Sequence, residues 1–156
     1  MRPITASDLM NPEVLTVQKD MTVRELASFL FENEISGAPV ADTEGRLLGV
    51  VSLVDIAAVA SGEDRRRVDG SGFFGPNWDD GLDEEDMEDL PLDQDGLSAA
   101  DIMTPQIFSV REDATVSEVA SLMLKGHLHR VLVTREDRAI GIITTSDLLG
   151  LLVGED

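Results

Sequence analysis

Two stretches of the chain place a hydroxyl three residues ahead of a carboxylate, directly after an apolar run. The first pairs Ser52 with Asp55, and the second pairs Thr144 with Asp147. At the start of a helix, such a pair can form a capping box that serves only backbone N–H groups. The same carboxylate could instead accept hydrogen bonds from two vicinal hydroxyls of a ligand, beside a helix end that favours anions. The spacing alone leaves both interpretations open.

A basic pair accompanies only the second of these stretches. His129 and Arg130 open the apolar run ahead of Thr144, whereas the corresponding positions of the first stretch are Ser36 and Gly37. A guanidinium stays protonated at any relevant pH and can fork onto phosphate oxygens. We therefore expect the second stretch to make the better anion site. The alternative is a surface pair that bonds only to local acids.

Several classes of chemistry are excluded by composition. The 156 residues include no cysteine and two histidines, which excludes a thiol nucleophile or a redox pair and makes a zinc site hard to assemble. An EF-hand loop aligned on Gly96 would need carboxylates at Pro91 and Ile102, so that motif is absent. We find no nucleophile–base pair and no glycine-rich phosphate loop. We predict no catalytic site, no metal site and no required cofactor.

Charge and hydropathy limit the partners and the location. A net charge of −19 argues against binding to nucleic acid, which depends on clustered Lys and Arg. Charge or glycine interrupts every apolar stretch, and the first residues lack the apolar core of a signal peptide. We expect no membrane association and a cytoplasmic location.

The chain contains an internal repeat. Three segments of the first copy return in the same order, at an offset of 93 residues for the first two and 92 for the third. This divides the chain into a first repeat (1–60), an acidic insert (61–97) and a second repeat (98–156). The recurring segments are 8–12 with 101–105, 22–28 with 115–121, and 49–55 with 141–147.

Each copy predicts the order β-α-β-β-α. Thr22 with Glu25, and Thr115 with Glu118, form capping boxes ahead of helices whose apolar residues recur at helical spacing. Two short β runs follow, and then a closing helix that is apolar nearly all round. We expect the closing helices to be buried between layers, and their surplus apolar surface to form a homodimer.

The insert differs from both repeats. Residues 61–99 hold 13 acids and three arginines, more than half of the net negative charge, and show neither helical nor strand periodicity. This composition favours a mobile linker that the fold does not require. Phe73, Phe74 and Trp78 are three of the six aromatic residues, however, so the alternative is a cluster that docks on its own domain or on a partner.

The repeated Asp-x-Met-x-Pro opening and the Gly-x-x-(Ser/Thr)-x-x-Asp closing segment resemble those of tandem cystathionine-beta-synthase (CBS) domains, the Bateman module. The resemblance covers residues 3–60 and 98–153. It implies an α/β (α+β) fold in which two β-α-β-β-α repeats pack as a pseudo-symmetric pair, with clefts for adenosine derivatives. It also implies a flat, disc-shaped homodimer of four repeats.

The resemblance also implies roles for individual residues. The closing Asp of the family typically binds ribose hydroxyls, and the Ser or Thr before it contacts ribose or phosphate. The His-Arg pair resembles one in the gamma subunits of AMP-activated kinases that helps to hold phosphates, whereas residues 36–40 resemble regulatory domains of inosine-monophosphate dehydrogenases. The ligand-binding residues carried over by position are Asp147, Thr144, His129, Arg130, Asp55 and Ser52.

Two functions from different classes remain. The first is a non-catalytic regulatory module that binds AMP, ADP, ATP or S-adenosylmethionine and signals occupancy to an effector protein not identified by the sequence. A charge of −19 repels free polyphosphates over about 8 Å at physiological salt, which favours AMP or ADP first and the sulfonium second. The second is a structural dimerisation or adaptor protein with empty clefts, which contacts its partner through the acidic, aromatic insert.

Overall fold

The computed structural model describes residues 3–61, 71–74 and 96–153. These residues form two three-stranded sheets, each packed with its own helices. The chain divides into two compact units. The first unit is Leu15–Ile107, and the second unit combines the residues up to Val14 with those from Phe108 onward.

The first unit contains a sheet in the order β1-β2-β3, in which β1 is parallel and β3 antiparallel to β2. Buried residues of α2, α3 and the sheet form its core. The elements are β1 (Val17–Gln18), α2 (Val23–Glu32), β2 (Gly37–Ala41), β3 (Leu47–Ser52), α3 (Leu53–Ser61), α4 (Ser71–Phe74) and α5 (Ala99–Ile102).

The second unit repeats this arrangement with a sheet in the order β4-β5-β6. The predicted α/β class and the β-α-β-β-α order of both repeats are confirmed. The elements are α1 (Ala6–Leu9), β4 (Ser109–Arg111), α6 (Val116–Gly126), β5 (Arg130–Arg135), β6 (Arg138–Thr144) and α7 (Thr145–Val153).

The predicted capping boxes start the long helices. In α2 the Glu25 N–H donates to Thr22 Oγ1 at 3.1 Å, and the Thr22 N–H donates to Glu25 Oε1 at 2.9 Å. Thr115 and Glu118 repeat both bonds at the same distances ahead of α6. Each helix then turns its apolar face inward, most completely in α2, where the buried residues are Val23, Leu26, Ala27 and Leu30.

The opening segments are exchanged between the repeats. Residues ahead of Val14 pack with the second sheet, where the Asn11 and Ile142 N–H groups donate to each other's carbonyls at 2.8 and 3.0 Å. In the first unit, Val50 and Thr104 exchange bonds of 2.9 and 2.8 Å in the same way. Each opening segment therefore extends the sheet of the other sequence repeat.

Glycines of the closing segments make this exchange sterically feasible. A Cβ added at Gly141 would lie 2.8 Å from Met10 Cβ, 2.6 Å from its Cγ and closer still to its Sδ. A Cβ at Gly49 would lie 2.9 Å from Met103 Sδ and would overlap the carbonyl oxygen of Thr104. The Met of each opening segment thus packs in the space that a glycine of the other repeat leaves empty.

The second closing helix does not meet the expectation of burial. No residue of α7 is buried, and its main contact is with β6. Leu152 and Val153 are 82% and 74% exposed, and Leu149 is 53% exposed. The burial predicted for this helix is wrong within the chain, because the elements beside it cover only part of its apolar circumference. The first closing helix is better covered, with Leu53 and Ile56 buried.

Part of the insert packs on the first unit. Phe73 and Phe74 in α4 are each 1% exposed, and α4 contacts β2, β3 and α3. For these two residues the mobile-linker interpretation is wrong and the docking alternative is correct, because their rings are buried against the unit. Trp78 and most of the insert lie outside the described residues.

We predict that Gly141→Ala destabilises the protein by about 1–3 kcal/mol, because the added methyl overlaps Met10. Adding Met10→Ala removes the Cγ and Sδ overlaps but leaves the Cβ contact, so it should recover part of the loss. Chemical denaturation of the single and double variants measures this coupling. Gly49→Ala is the matched control. Its added methyl would overlap the backbone of Thr104, so truncating the side chain of Met103 should not restore stability. Strictly additive effects for Gly141→Ala and Met10→Ala would contradict the packing described.

Candidate functional site

The hydroxyl–carboxylate pair of the first unit lies where β3 ends and α3 begins. The Ser52 N–H donates to Asp55 Oδ2 at 2.8 Å, and its hydroxyl donates to the same oxygen at 3.2 Å. The Ser52 side chain is buried and Asp55 is half-buried. The pair is therefore preorganised by the strand–helix junction.

The second unit has the same geometry between β6 and α7. The N–H and hydroxyl of Thr144 donate to Asp147 Oδ2 at 2.8 and 3.1 Å, and the Asp147 N–H lies 3.4 Å from Thr144 Oγ1. Both bonds to the carboxylate use Oδ2. The carboxylate is held in place while its other oxygen, Oδ1, takes no part in these two bonds and is a potential acceptor.

A backbone bond ties each junction to the start of the neighbouring strand. The Thr145 N–H donates to the carbonyl of His129 at 3.0 Å, and the Thr145 hydroxyl lies 3.2 Å from the same oxygen. The Leu53 N–H donates to the Ser36 carbonyl at 2.9 Å in the first unit. The residues that immediately precede β2 and β5 are therefore bonded directly to the junctions that carry the hydroxyl–carboxylate pairs.

Strand register then decides which side chain faces each pair. Arg130 is the direct partner of Thr144 across β5 and β6, and Gly37 is the direct partner of Ser52 across β2 and β3. Directly opposed residues project their side chains from the same face of a sheet. The second unit thus places the half-buried residue Arg130 on the face of its hydroxyl–carboxylate pair, and the first unit places no side chain there.

The structure brings together Arg130, Thr144 and Asp147. His129 contributes its backbone carbonyl, while its side chain is exposed. Ser52 and Asp55 come together in the other unit without a cation from the matching strand position.

Hydroxyl–carboxylate geometry alone does not identify a ligand site. The Thr5 N–H and hydroxyl donate to Asp8 Oδ2 at 3.0 and 3.1 Å, and Ser98 and Asp101 repeat this arrangement at 2.9 and 3.0 Å. These boxes begin the short helices α1 and α5. The closing pairs serve their helices in the same way, and the neighbouring Arg130 is what distinguishes the second one.

Sequence reasoning missed the contribution of the opening segments. Met10 and Asn11 lie against Gly141 and Ile142, on the strand that leads to Thr144. The recurrence of Met and Pro at these segments was the available signal, but it does not reveal which repeat they contact.

Residues 3–61, 71–74 and 96–153 contain no group of three or more His, Asp or Glu side chains that could hold a metal ion. Among the same residues, no helix has the length and hydropathy needed to cross a membrane.

Comparison with known proteins places these features in a family. The CBS domain model matches residues 6–62 and 99–154. An uncharacterised protein of Methanocaldococcus jannaschii is 30% identical over an alignment of 160 positions, which covers 94% of this chain and 89% of that one. The chloroplastic CBS domain-containing protein CBSX1 of Arabidopsis thaliana is 30% identical over 135 residues, 85% of this chain and 56% of CBSX1. This chain therefore spans about half the length of CBSX1.

Solved structures share the fold. The CBS domain pair of protein MJ0100, in complex with 5'-methylthioadenosine and S-adenosyl-L-methionine, has a TM-score of 0.65 and 23% identity, covering 99% of this chain and 100% of that one. CBSX2 in complex with AMP has a TM-score of 0.65 and 24% identity, covering 96% of each chain. Because the family model matches both repeats and more than half of the residues, this protein belongs to the CBS domain family, as a tandem pair of CBS domains.

Proposed function

We propose that this chain is a non-catalytic regulatory module that binds an adenosine-containing ligand at its second repeat and signals occupancy to an effector protein. The observation that carries the proposal is the position of Arg130 directly across from Thr144, which is bonded to the carboxylate of Asp147. These positions on two adjacent strands and one helix start support a site in which the carboxylate would accept bonds from ligand hydroxyls and the guanidinium would bind phosphate.

The ribose end of a ligand would interact with Asp147. A carboxylate has two oxygens and can accept bonds from vicinal hydroxyls while one oxygen continues to cap α7. The two bonds from Thr144 fix the orientation of the carboxylate before a ligand arrives. Such preorganisation lowers the entropic cost of binding.

The phosphate end would interact with Arg130. Guanidinium–phosphate bonds are charge-assisted and about twice as strong as neutral ones. The overall charge of −19 repels polyphosphates, which favours AMP or ADP over free ATP and places the cationic S-adenosylmethionine second. The relatives solved with AMP and with S-adenosyl-L-methionine support this class of ligand.

The adaptor alternative gains no specific support from the geometry. That function relied on the aromatic residues of the insert to contact a partner, and Phe73 and Phe74 are turned into the first unit. The cytoplasmic location and the identity of the effector stay predictions.

We also propose a homodimer formed through α7. Its exposed leucines and Val153 make an apolar surface on a helix that has no buried residue. Contiguous exposed apolar surface usually marks an interface, and two-fold closure is the commonest way to cover it.

Calorimetric titration tests the ligand site. Arg130→Ala should weaken AMP by about tenfold or more, the equivalent of losing a charge-assisted bond of about 1.5–3 kcal/mol, and should change adenosine little. Asp147→Ala should weaken both ligands, and Asp55→Ala neither by much. Arg138→Ala removes the same charge from an exposed position on β6 and should leave both affinities unchanged. If Asp55→Ala proves the most damaging, the ligand occupies the other repeat, and if no adenosine compound binds any form, the proposed function is wrong.

Sedimentation equilibrium tests the dimer. At tens of micromolar the protein should have twice the chain mass of 16.9 kDa. Because the contact is apolar and each chain carries −19, added salt should strengthen association by screening the repulsion. Leu152→Glu should give a monomer, whereas Leu15→Glu, also at an exposed leucine but outside α7, should not. A wild-type monomer at these concentrations would contradict the proposal.

A further inference from the structure

The insert supplies an aromatic pair that packs beside the first hydroxyl–carboxylate pair. Phe73 and Phe74 meet edge to face, with ring centroids 4.7 Å apart and an interplanar angle of 83°. Each is 1% exposed. Their helix, α4, contacts the two strands and the closing helix that surround Ser52. The pair therefore packs against the same three elements that position Ser52 and Asp55.

Phe73 lies next to the position that Arg130 holds in the other repeat. Gly37 is the direct partner of Ser52, as Arg130 is of Thr144. A Cβ added at Gly37 would lie 3.1 Å from Phe73 Cδ1 and 3.4 Å from the Cα of Ser52. In the first unit, a phenyl ring therefore lies beside Gly37, the strand position that corresponds to Arg130. It lies on the same face of the sheet as the Ser52 side chain.

Burial differs between the two repeats at the hydroxyl residue and at the residue that follows it. Ser52 is 1% exposed and Leu53 is 6% exposed, whereas their counterparts Thr144 and Thr145 are half-buried and exposed. The first closing segment also has the apolar Leu-Val between hydroxyl and carboxylate where the second has Thr-Ser. The buried Leu53 suits an apolar cover, whereas Thr145 in the second repeat suits contact with water or a polar ligand.

We propose that Phe73 and Phe74 are an internal cover that closes the first repeat to adenosine ligands, so that only the second repeat is open in the resting chain. This inference rests on the proposed function for its ligand, but the cover itself can be tested without one. A phosphate gains nothing beside an apolar ring with no cation, because a charge buried without a partner is strongly unfavourable. A ligand reaches Ser52 and Asp55 only when the pair leaves, so the affinity of the first repeat is reduced in proportion to the fraction of chains in which it is uncovered.

A thiol probe tests the cover directly. The chain has no cysteine, so Ser52→Cys introduces a single reactive group. Its reaction with a disulfide reagent should be slow in the otherwise unchanged chain and should speed up by about tenfold or more when Phe73→Ser and Phe74→Ser are added, equivalent to about 1.4 kcal/mol of docking. Thr144→Cys marks the open repeat, where the same two changes should leave the rate unaltered. Phe31→Ser, a half-buried aromatic on α2, controls for general loosening of the first unit and should not expose the probe.

An adenosine titration tests the consequence for binding. The chain with both phenylalanines should bind one adenosine, and Phe73→Ser/Phe74→Ser should bind two. Adding Asp55→Ala to that double variant should return it to one. Circular dichroism confirms that each variant remains folded before it is titrated.

The two assays separate the possible failures. A Ser52→Cys probe that reacts as fast as the Thr144→Cys probe, or that does not respond to loss of the phenylalanines, overturns the cover. Exposure of the probe without a second adenosine shows that the pair is core packing and not a ligand gate, which also overturns the inference. If no form binds adenosine while the probe behaves as expected, the cover stands and the proposed function fails.

Discussion

The contact between the opening segment of one repeat and the closing segment of the other is the constraint on which the rest of the structure depends. Met10 fills the space left by Gly141, and Met103 and Thr104 fill the space left by Gly49. Backbone bonds accompany both contacts. Because each sheet is extended by residues from the other repeat, neither repeat completes its packing by itself. The strand that leads to each hydroxyl–carboxylate pair is held by this exchange.

The two repeats share one scaffold and differ in the side chains that it carries. Strand register, helix caps and the bonds from each hydroxyl to its carboxylate are shared, with distances that agree within 0.1 Å. The difference arises at one strand position, where Arg130 in the second repeat corresponds to Gly37 in the first. The second repeat therefore has a guanidinium on this face of its sheet. The missing side chain gives the first repeat room for a phenyl ring.

Much of this organisation could be predicted from the sequence because it is local or repeated. Capping boxes depend on residues three apart, so Thr22 with Glu25 is enough to predict the start of its helix. The exchange of opening segments could not be predicted, because the recurring Met and Gly indicate close packing but not which copies meet. The exposure of α7 could not be predicted for a related reason. An apolar sequence shows that a helix tends to be buried, but it does not show whether residues of the same chain or of another molecule bury it. Phe73 and Phe74 are unusual for a linker, but their docking place depends on the gap at Gly37, which only the register reveals.

A crystal structure of the protein with AMP would test the central claim, the inequivalence of the two repeats, most directly. The account predicts one nucleotide per chain, with ribose hydroxyls on Asp147, phosphate on Arg130, and Phe73 still packed beside Gly37. Nucleotide bound to Asp55 and Ser52 with the phenylalanines in place would contradict it.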